Sequence, residues 1–399
     1  MGMLDGIRVL DFTTNAAGPV AAAILTDYGA EVIKVERPIT GDDCRGFAPL
    51  TADGKSLSHC WFNRGKSSVT VDLKDPEGIE FIKRMIPSVN VIIESFRPGI
   101  MKQFGLDYES VVSLRPDIIY VSVSAFGQTG PYAKRPGYDI IAQAMSGIMS
   151  VTGEADGPPM KSGFVLGDLV GALNAFAATM TALYHWKATG VGQYVDVSLV
   201  HSLVYLNSTL ERCNVGEMAM RQGNHHPTLA PYGLFNGKNG QSIIIACVAN
   251  RLFASLCDLM GKPELKDDPR FVTLKERCKH QKELIVYIED WLKNFDNIED
   301  AAKLLTDAGI PCCKVYNNRD VIADEHFRSN GWLVEAPVAD DVSSLKTYIT
   351  RGPNARFSKE PGRIHKAPTL GEHNYEIMET YGYSKEEIER LQAKWAENV

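Results

Sequence analysis

The segment from Leu4 to Glu36 reads LDGIRVLDFTTNAAGPVAAAILTDYGAEVIKVE and indicates the fold class. Residues 7–12 are apolar with β-branched members, which predicts a short strand that ends at the turn-prone residues 13–15. An apolar stretch that opens at Gly18-Pro19 predicts a helix up to Tyr28, and residues 31–35 predict a second strand. A strand, a helix and a strand within about 30 residues form a βαβ unit, so the sheet is predicted to be parallel.

The alternation of strands and helices continues to about residue 204. Further strands are predicted at residues 69–71, 89–93, 117–122 and 194–198, and helices at residues 76–86, 108–113, 138–146 and 169–186. This order predicts a doubly wound, Rossmann-like α/β domain over residues 1–204. Ligands of such domains bind at the carboxyl ends of the strands.

The second half of the chain predicts a smaller α/β domain between two linkers. Residues 205–230 are rich in polar residues, glycine and proline and predict a linker. Residues 231–330 predict the small domain, and residues 331–351 a second linker. Residues 352–399 are predicted to return to the large domain. The predicted small-domain strands cover residues 242–248 and 313–316, and its helices residues 251–260, 281–293 and 298–308; C-terminal helices are predicted at residues 375–381 and 385–396.

Composition limits the classes of partner. The chain has 42 basic and 49 acidic side chains and a net charge of −7, which argues against nucleic acid as a partner. No run of about 18 apolar residues and no signal peptide is found, so we expect no membrane-spanning helix. The eight cysteines are scattered without a C-x-x-C pair. This spacing favours reduced thiols in the cytoplasm over disulfides or a zinc site.

Several nucleotide and hydrolase motifs are absent. The first βα turn lacks the G-x-G-x-x-G fingerprint, which disfavours NAD or FAD as a cofactor. Gly-Lys-Ser occurs at Gly54 and Gly65, but Pro49 and Cys60 stand where a phosphate-binding loop needs its first glycine. Neither a G-x-S-x-G nor an H-E-x-x-H motif is present, so serine-hydrolase and zinc-protease markers are missing.

Cations and one aromatic residue lie at the ends of the early strands. Arg37 follows the second strand, Lys66 precedes the third and Lys74 follows it, and Phe96-Arg97 follows the fourth. Guanidinium and ammonium groups pair with phosphates, and an aromatic ring stacks on a base, so the set suits a phosphorylated adenine ligand. An ordinary solvated rim of charges explains the same pattern, and both readings stay open.

Gly167-Asp168 precedes the longest predicted helix, and it too has two readings. An aspartate before a helix commonly accepts hydrogen bonds from the free N–H groups of the first turn. Alternatively, Asp168 is a carboxylate nucleophile, because an aspartate with a pKa near 3.9 is ionised at pH 7 and carboxylates serve as covalent catalysts.

Motifs along most of the chain carry a family likeness. The chain resembles the class III CoA-transferases, the group of formyl-CoA transferase and carnitine CoA-transferase. Each motif is short, but their joint order and spacing are specific. They are Leu4–Asp11, Gly29–Glu36, residues 63–72, Phe96–Gly99, Ser124–Gly127, Arg135–Asp139, Gly167-Asp168, residues 190–199, Gly309–Cys312 and Leu370–His373.

The resemblance implies a covalent enzyme that forms an interlocked homodimer. In this family the aspartate of the Gly-Asp pair is the nucleophile, which maps onto Asp168. The implied partners are an acyl-CoA and a small carboxylic acid, with no metal and no permanently bound cofactor. The implied CoA contacts are Ala16, Ala17, Arg37, Val71, Asp72, Leu73, Lys74, Ser95, Phe96, Arg97, Gln103, Pro136, Gly137, Tyr138 and Asp139.

The sequence also departs from formyl-CoA transferase. Ala16 replaces a catalytic glutamine, Gln103 an arginine and Pro136 a lysine, and the glycine-rich flap reads Gly223-Asn-His-His-Pro227 here. The formyl-CoA and oxalate pair is therefore not implied, and the donor and acceptor acids stay open. His225 and His226 either line the acyl pocket or are ordinary linker histidines.

Two other functions fit the same fold. A 2-methylacyl-CoA racemase needs two acid/base groups, one on each face of the α-carbon. That branch has a histidine where this chain has Tyr138, and a phenol with a pKa near 10 is a poor base at pH 7. A non-catalytic CoA-binding protein is the second alternative.

Overall fold

The computed structural model describes residues 2–339 and 343–397. The predicted linker 331–351 and the predicted C-terminal part therefore each lie partly outside the described residues. The described strands are β1 Arg8–Phe12, β2 Glu31–Glu36, β3 Ser67–Thr70, β4 Val91–Glu94, β5 Ile119–Ser124, β6 Gln193–Ser198, β7 Tyr232–Asn236, β8 Ser242–Ala246, β9 Cys312–Lys314, β10 Leu333–Pro337 and β11 Thr347–Arg351.

The described helices are mostly short, with one of 24 residues. They are α1 Ala17–Asp27, α2 Leu57–Phe62, α3 Pro76–Met85, α4 Ile100–Gln103, α5 Tyr108–Val111, α6 Asp139–Met145, α7 Ile148–Val151, α8 Leu166–Thr189, α9 Leu199–Leu206, α10 Asn250–Leu259, α11 Leu274–Lys279, α12 Gln281–Leu292, α13 Ile298–Asp307, α14 Asn318–Ala323, α15 Glu325–Ser329, α16 Asn374–Thr380 and α17 Lys385–Glu397.

Six parallel strands form the main sheet in the order β3-β2-β1-β4-β5-β6. This is the strand order of doubly wound dinucleotide-binding sheets, and it confirms the predicted parallel α/β sheet. The order reverses between β1 and β4, which are hydrogen-bonded neighbours. Loops that leave the carboxyl ends of these two strands diverge, so a crevice for a ligand opens between them.

Helices cover both faces of this sheet. Val9 packs with α1 and α8 on one face, and its neighbour Leu10 packs with α3, α16 and α17 on the other. Successive side chains of a strand point to opposite faces, so each strand contributes to both cores. The apolar runs that predicted these strands are therefore buried on both sides.

Helix α8 carries small residues on its buried side, including Gly171, Ala172 and Ala175. By length and composition alone it is apolar enough to cross a membrane, which is weak evidence, so the expectation of no membrane-spanning helix stays a prediction. Core helices pass the same test, and here the small residues allow close packing against α1 in the first core.

Contacts divide the chain into two compact units. Unit 1 comprises Met1–Ile148, Lys161–Leu210 and Glu325–Val399, and unit 2 comprises Met149–Met160 and Glu211–Asp324. Unit 2 contains the three-stranded antiparallel sheet β7-β8-β9. Its core includes Phe235, Ile243 and Trp291. The predicted domain and linker bounds stay a prediction, although the segment predicted as the second linker contains the antiparallel pair β10-β11.

Candidate active site

A cleft of about 570 Å³ opens at the carboxyl ends of β1 to β4. The structure brings six of the predicted CoA contacts together in its walls: Arg37, Val71, Asp72, Leu73, Lys74 and Phe96. Sequence reasoning missed other lining residues, among them Thr13, Thr14, Thr40, Gly41 and Phe104. Thr13 and Thr14 could have been predicted as ligand contacts, because they directly follow a strand of the parallel sheet. No sequence pattern indicated Phe104.

The cleft combines cations with an aromatic wall. Arg37 forms an ion pair with Asp43 and donates to the carbonyl oxygen of Gly41 at 3.1 Å. Phe96 and Phe104 meet edge to face, with their ring centroids 6.3 Å apart. Lys74 is exposed at the same opening. Phosphates suit the cations and an adenine ring suits the aromatic wall, so the cleft matches a phosphorylated adenine nucleotide.

Two buried ion pairs involve residues of β1 and β2, and those of one pair, Lys34 and Asp42, line the cleft. Lys34 Nζ lies 2.9 Å from Asp42 Oδ2, and Lys66 Nζ lies 2.7 Å from Asp11 Oδ2. Burial alone would lower the pKa of Lys34, but the carboxylates, Asp42 foremost, raise it overall. For Lys66 burial prevails and lowers the pKa to about 8. Lys66 is thus held in an internal ion pair, and its reading as a strand-end cation for a ligand is wrong.

The turn between β1 and α1 connects the cleft with the helix that carries Asp168. Ala16 and Ala17 are buried at the start of α1. A Cβ at Gly171 would lie 4.0 Å from Ala17 Cβ, so the turn ends against α8. Ser95 Oγ accepts a hydrogen bond from Thr14 N at 2.9 Å. Ser95 therefore braces this turn, whatever contact it makes with CoA.

Asp168 lies inside the first turn of α8, which begins at Leu166. The cap position before the helix is occupied by Val165, which makes no side-chain cap. The reading of Asp168 as the cap is therefore wrong. The first turn is capped instead by Asp139, whose Oδ1 accepts from Gly167 N at 2.6 Å. The helix begins two residues before Asp168, so the carboxylate of Asp168 is not needed to cap the first turn.

The environment of Asp168 favours its protonated form. Burial is the main cause and the nearby carboxylate of Asp139 the second, and together they raise the pKa of Asp168 to about 7. A carboxyl with a pKa near neutrality is ionised in part at physiological pH and is poorly solvated. Strongly perturbed carboxyl groups cluster at functional sites, and a poorly hydrated carboxylate is a better nucleophile.

Asp139 and its neighbours support this helix end. Asp139 is buried, and its Oδ2 accepts from Gln143 Nε2 at 2.7 Å. Gln143 Oε1 in turn accepts from Ser162 N at 2.8 Å. Both oxygens of Asp139 are therefore engaged within the protein. Tyr138 precedes α6 and is 70% exposed, so of these two adjacent predicted contacts it is the one open to a ligand.

The remaining predicted CoA contacts lie outside the first cleft. Arg97 lines a separate cleft of about 510 Å³ together with Lys102, Tyr108 and Tyr194. Gln103 is the last residue of α4 and is exposed. Pro136 is exposed in the loop before α6, and Gly137 lies close to Ala125 and Phe126. Their roles toward CoA stay predictions.

His225 and His226 belong to unit 2. The ring of His225 meets Phe235 edge to face at 5.2 Å, and burial lowers its pKa. His225 Nδ1 is buried without a hydrogen-bond partner in the part of the chain that is described. His226 Nδ1 lies 3.2 Å from Thr228 N, which donates to it, and its backbone oxygen accepts from Gln281. A role of either histidine in the acyl pocket stays a prediction.

Comparison with known proteins identifies the family. The model of CoA-transferase family III matches residues 4–374. The chain belongs to CoA-transferase family III. The resemblance found in the sequence is thus confirmed, and so is the prediction of an enzyme that transfers CoA between an acyl donor and a carboxylic acid acceptor. CoA thioesters are accordingly the substrates that this family membership implies.

Three curated relatives match between 72% and 98% of this chain. The succinyl-CoA–D-citramalate CoA-transferase of Chloroflexus aurantiacus is 35% identical over 98% of this chain and 97% of its own. The succinate–glutarate CoA-transferase of Agrobacterium fabrum is 36% identical over 94% of each chain. The acetyl-CoA:oxalate CoA-transferase of Acetobacter aceti is 41% identical over 72% of this chain and 74% of its own.

Solved structures of the family agree with the fold. A CaiB/BaiF family protein from Brucella suis superposes with a TM-score of 0.86 at 34% identity, covering 95% of this chain and 99% of its own. Rv3272 from Mycobacterium tuberculosis superposes with a TM-score of 0.81 at 30% identity, covering 94% of this chain and 98% of its own.

Proposed function

We propose that this CoA-transferase works through covalent intermediates on Asp168. The observation that carries the proposal is the state of that carboxylate, which is partly buried at the start of α8 and has a pKa raised to about 7. The cleft at the ends of β1 to β4 is lined by Thr13 and Thr14 of the β1–α1 turn, and Ala17 at the far end of that turn lies against α8. A CoA thioester bound there would be held by its nucleotide while its acyl group reacts, so remote binding energy positions the reacting carbonyl.

The first half of the reaction loads CoA onto the enzyme. The Asp168 carboxylate attacks the thioester carbonyl of the donor, the carbon–sulfur bond breaks, and CoA leaves as a thiolate. A mixed anhydride of the acyl group and Asp168 remains. The thiolate then attacks the aspartyl carbonyl of this anhydride, which releases the donor acid as a carboxylate and leaves an aspartyl–CoA thioester.

The second half repeats these steps with the acceptor. The acceptor carboxylate attacks the aspartyl–CoA carbonyl, and CoA thiolate leaves a second mixed anhydride behind. Attack of the thiolate on the acceptor carbonyl forms the new acyl-CoA and restores the Asp168 carboxylate. One thioester is exchanged for another, so the balance requires no ATP.

We propose succinyl-CoA as the donor and a small dicarboxylic acid as the acceptor. The relatives from Chloroflexus aurantiacus and Agrobacterium fabrum are named for succinyl-CoA or succinate together with citramalate or glutarate. The relative that is named for acetyl-CoA and oxalate also acts on a dicarboxylic acid. A panel of dicarboxylic and monocarboxylic acids with succinyl-CoA, read by mass spectrometry of the acyl-CoA products, tests this choice.

We further propose a cytoplasmic homodimer. All eight cysteines are free thiols, which supports a reducing compartment. Large apolar side chains are exposed on α8 and α9, among them Leu173, Tyr184, Tyr205 and Leu206. Subunit interfaces bury large apolar side chains, and an interlocked dimer as expected for the family would cover these four. Light scattering of the purified protein measures the subunit number.

The covalent mechanism is tested with Asp168→Ala and a matched surface variant, Asp300→Ala, on the exposed face of α13. We expect Asp168→Ala to lose nearly all transferase activity and Asp300→Ala to retain it. Acid quench of the wild-type protein with acyl-CoA, followed by peptide mass spectrometry, should show CoA on the peptide that contains Asp168. Full activity of Asp168→Ala would sink the mechanism.

The racemase alternative makes a different prediction. A racemase exchanges the α-proton of an acyl-CoA in deuterium oxide without any acceptor acid. Tyr138 stands at the position of the required histidine, and both oxygens of the adjacent Asp139 are occupied. We therefore expect no exchange above the buffer rate, whereas turnover with an acceptor acid separates a transferase from a protein that only binds CoA.

A further inference from the structure

The turn between β1 and α1 is held by side chains from three different segments. Thr13 N donates to Asp11 Oδ1 at 2.8 Å, Thr14 N donates to Ser95 Oγ at 2.9 Å, and Asn15 N donates to Asp42 Oδ1 at 3.0 Å. Three consecutive backbone donors of one turn thus each have their own side-chain acceptor. Such a turn is fixed in one conformation, because buried N–H groups left without partners are costly.

The acceptor for Asn15 belongs to a buried ion pair. The side chains of Lys34 and Asp42 are fully buried, and their charged atoms lie 2.9 Å apart. Lys34 Nζ also donates to Thr13 O at 2.8 Å. The pair therefore contacts the turn twice, once through each partner.

The backbone conformation of Asn15 requires stabilising contacts of this kind. Its φ is +69°, a left-handed conformation that non-glycine residues rarely adopt. Strained backbone persists where the surrounding structure over-determines it, and it concentrates at functional sites. Here the bond from Asn15 N to Asp42 supplies part of that constraint.

The turn also joins the two halves of the proposed site. Thr13 and Thr14 line the nucleotide cleft. Ala17, at its other end, lies against Gly171, which follows Asp168 by three residues, or just under one helical turn. A shift of the turn would therefore move the cleft wall relative to the reactive carboxylate, and displacements of about 1 Å can cost two orders of magnitude in rate.

We propose that Lys34 and Asp42 are positioning residues that fix the β1–α1 turn, and through it the thioester, against Asp168. This inference rests on the proposed function, since it assumes attack by Asp168. Neither residue takes part in bond making. Their effect is expected in the rate of the chemical step rather than in the affinity for CoA.

Two double variants separate the effect of the hydrogen-bond acceptor at residue 42 from the effect of the two buried charges. Lys34→Met with Asp42→Asn removes both charges and keeps an oxygen that can accept from Asn15 N. Lys34→Met with Asp42→Ala removes the charges and also the acceptor. Neither variant leaves one charge buried alone, which is the common cause of misfolding at such pairs.

We expect both double variants, which lose the bond from Lys34 Nζ to Thr13 O, to form the aspartyl–CoA adduct more slowly than the wild-type protein at saturating acyl-CoA. The alanine double variant should in addition be at least tenfold slower than the asparagine double variant. The dissociation constant for CoA should differ by less than about threefold between the two, because the turn supplies only part of the cleft wall. Equal rates within about twofold would overturn the proposal, and so would a difference confined to CoA affinity.

Asp42 Oδ1 also accepts from Cys44 N, so the alanine double variant loses that bond as well as the bond to Asn15 N, and a second variant must leave Asp42 in place. Ser95→Ala removes the acceptor of Thr14 N in the same turn and leaves Asp42 intact. A slower chemical step in Ser95→Ala supports positioning by the turn, and an unchanged step contradicts it. This result can be read even if the alanine double variant fails to fold. Failure of the proposed function looks different, because the wild-type protein would then form no adduct on Asp168 at all.

Discussion

Acylation of Asp168 should depend on pH in the neutral range. The reacting species is the carboxylate, and the pKa of this carboxyl is raised to about 7 by burial and by Asp139. Because the folded-state pKa lies above the ordinary value, the ionised fraction rises from about one tenth at pH 6 to about nine tenths at pH 8. The rate of adduct formation should therefore increase roughly tenfold over these two pH units.

The assay is a rapid acid quench of the protein with acyl-CoA alone, at concentrations well below KM, between pH 5.5 and 8.5. Under these conditions the rate reports the free enzyme. The phosphates of CoA titrate in part of this range. CoA binding to Asp168→Asn, measured by calorimetry over the same pH values, gives the correction for that effect.

Asp139→Asn provides the internal test of the cause. Its Oδ1 can still accept from Gly167 N, while the repelling charge next to Asp168 is gone. The acid limb of the rate profile should move to lower pH, although burial keeps it above the ordinary aspartate range. A profile that is flat from pH 5.5 to 8, or that falls as the pH rises, would refute this account of Asp168.

Three other perturbations follow from the geometry. The folded protein binds the Asp168 proton more tightly than the unfolded chain does, so ionisation of Asp168 lowers the stability of the fold as the pH rises from about 4 to 7. Asp168→Asn removes this loss. It should raise the free energy of unfolding, measured in urea, by up to about 4 kcal/mol at pH 8 and by little at pH 4. Gly78→Ala should raise KM for acyl-CoA about fivefold with kcat nearly unchanged, because a Cβ would overlap the backbone oxygen of Asp72 in the cleft wall. The loss would be equal for the bound substrate and for the transition state, so it appears in KM alone. A normal KM contradicts that overlap. Phe96→Ala should weaken CoA binding about tenfold through lost stacking, with Phe96→Tyr as the control that keeps a ring, and equal dissociation constants would remove Phe96 from the site.

Local patterns were sufficient to predict the main sheet. Its strands combine short apolar runs with nearby glycine or turn residues, and α1 begins one residue before the predicted Gly18. β4 begins at Val91 rather than residue 89, because Val89 caps the short turn after α3 and the chain bends at Asn90. β7 was missed because Gly233 and Asn236 interrupt its pattern, and β10 and β11 were missed because their exposed faces are polar.

The candidate site could be predicted only in part, because its key contacts join residues far apart in sequence. Family motifs pointed to Asp168 and to six residues in the walls of the cleft. The capping of Gly167 by Asp139 spans 28 positions, and the pair of Lys66 with Asp11 spans 55. No local pattern specifies such partners, so the raised pKa of Asp168 and the burial of Lys66 became evident only in the folded chain.

The two carboxylates at the start of α8 have a consequence for the order of events in turnover. In the resting protein an incoming acid anion meets the negative charge of Asp139 and, in the ionised fraction, that of Asp168 as well. Once Asp168 carries CoA as a thioester, one of these charges is gone and the repulsion of a second anion weakens. We therefore expect the acceptor acid to bind productively only after the donor has reacted, which makes the pair of carboxylates an electrostatic gate that enforces ping-pong kinetics.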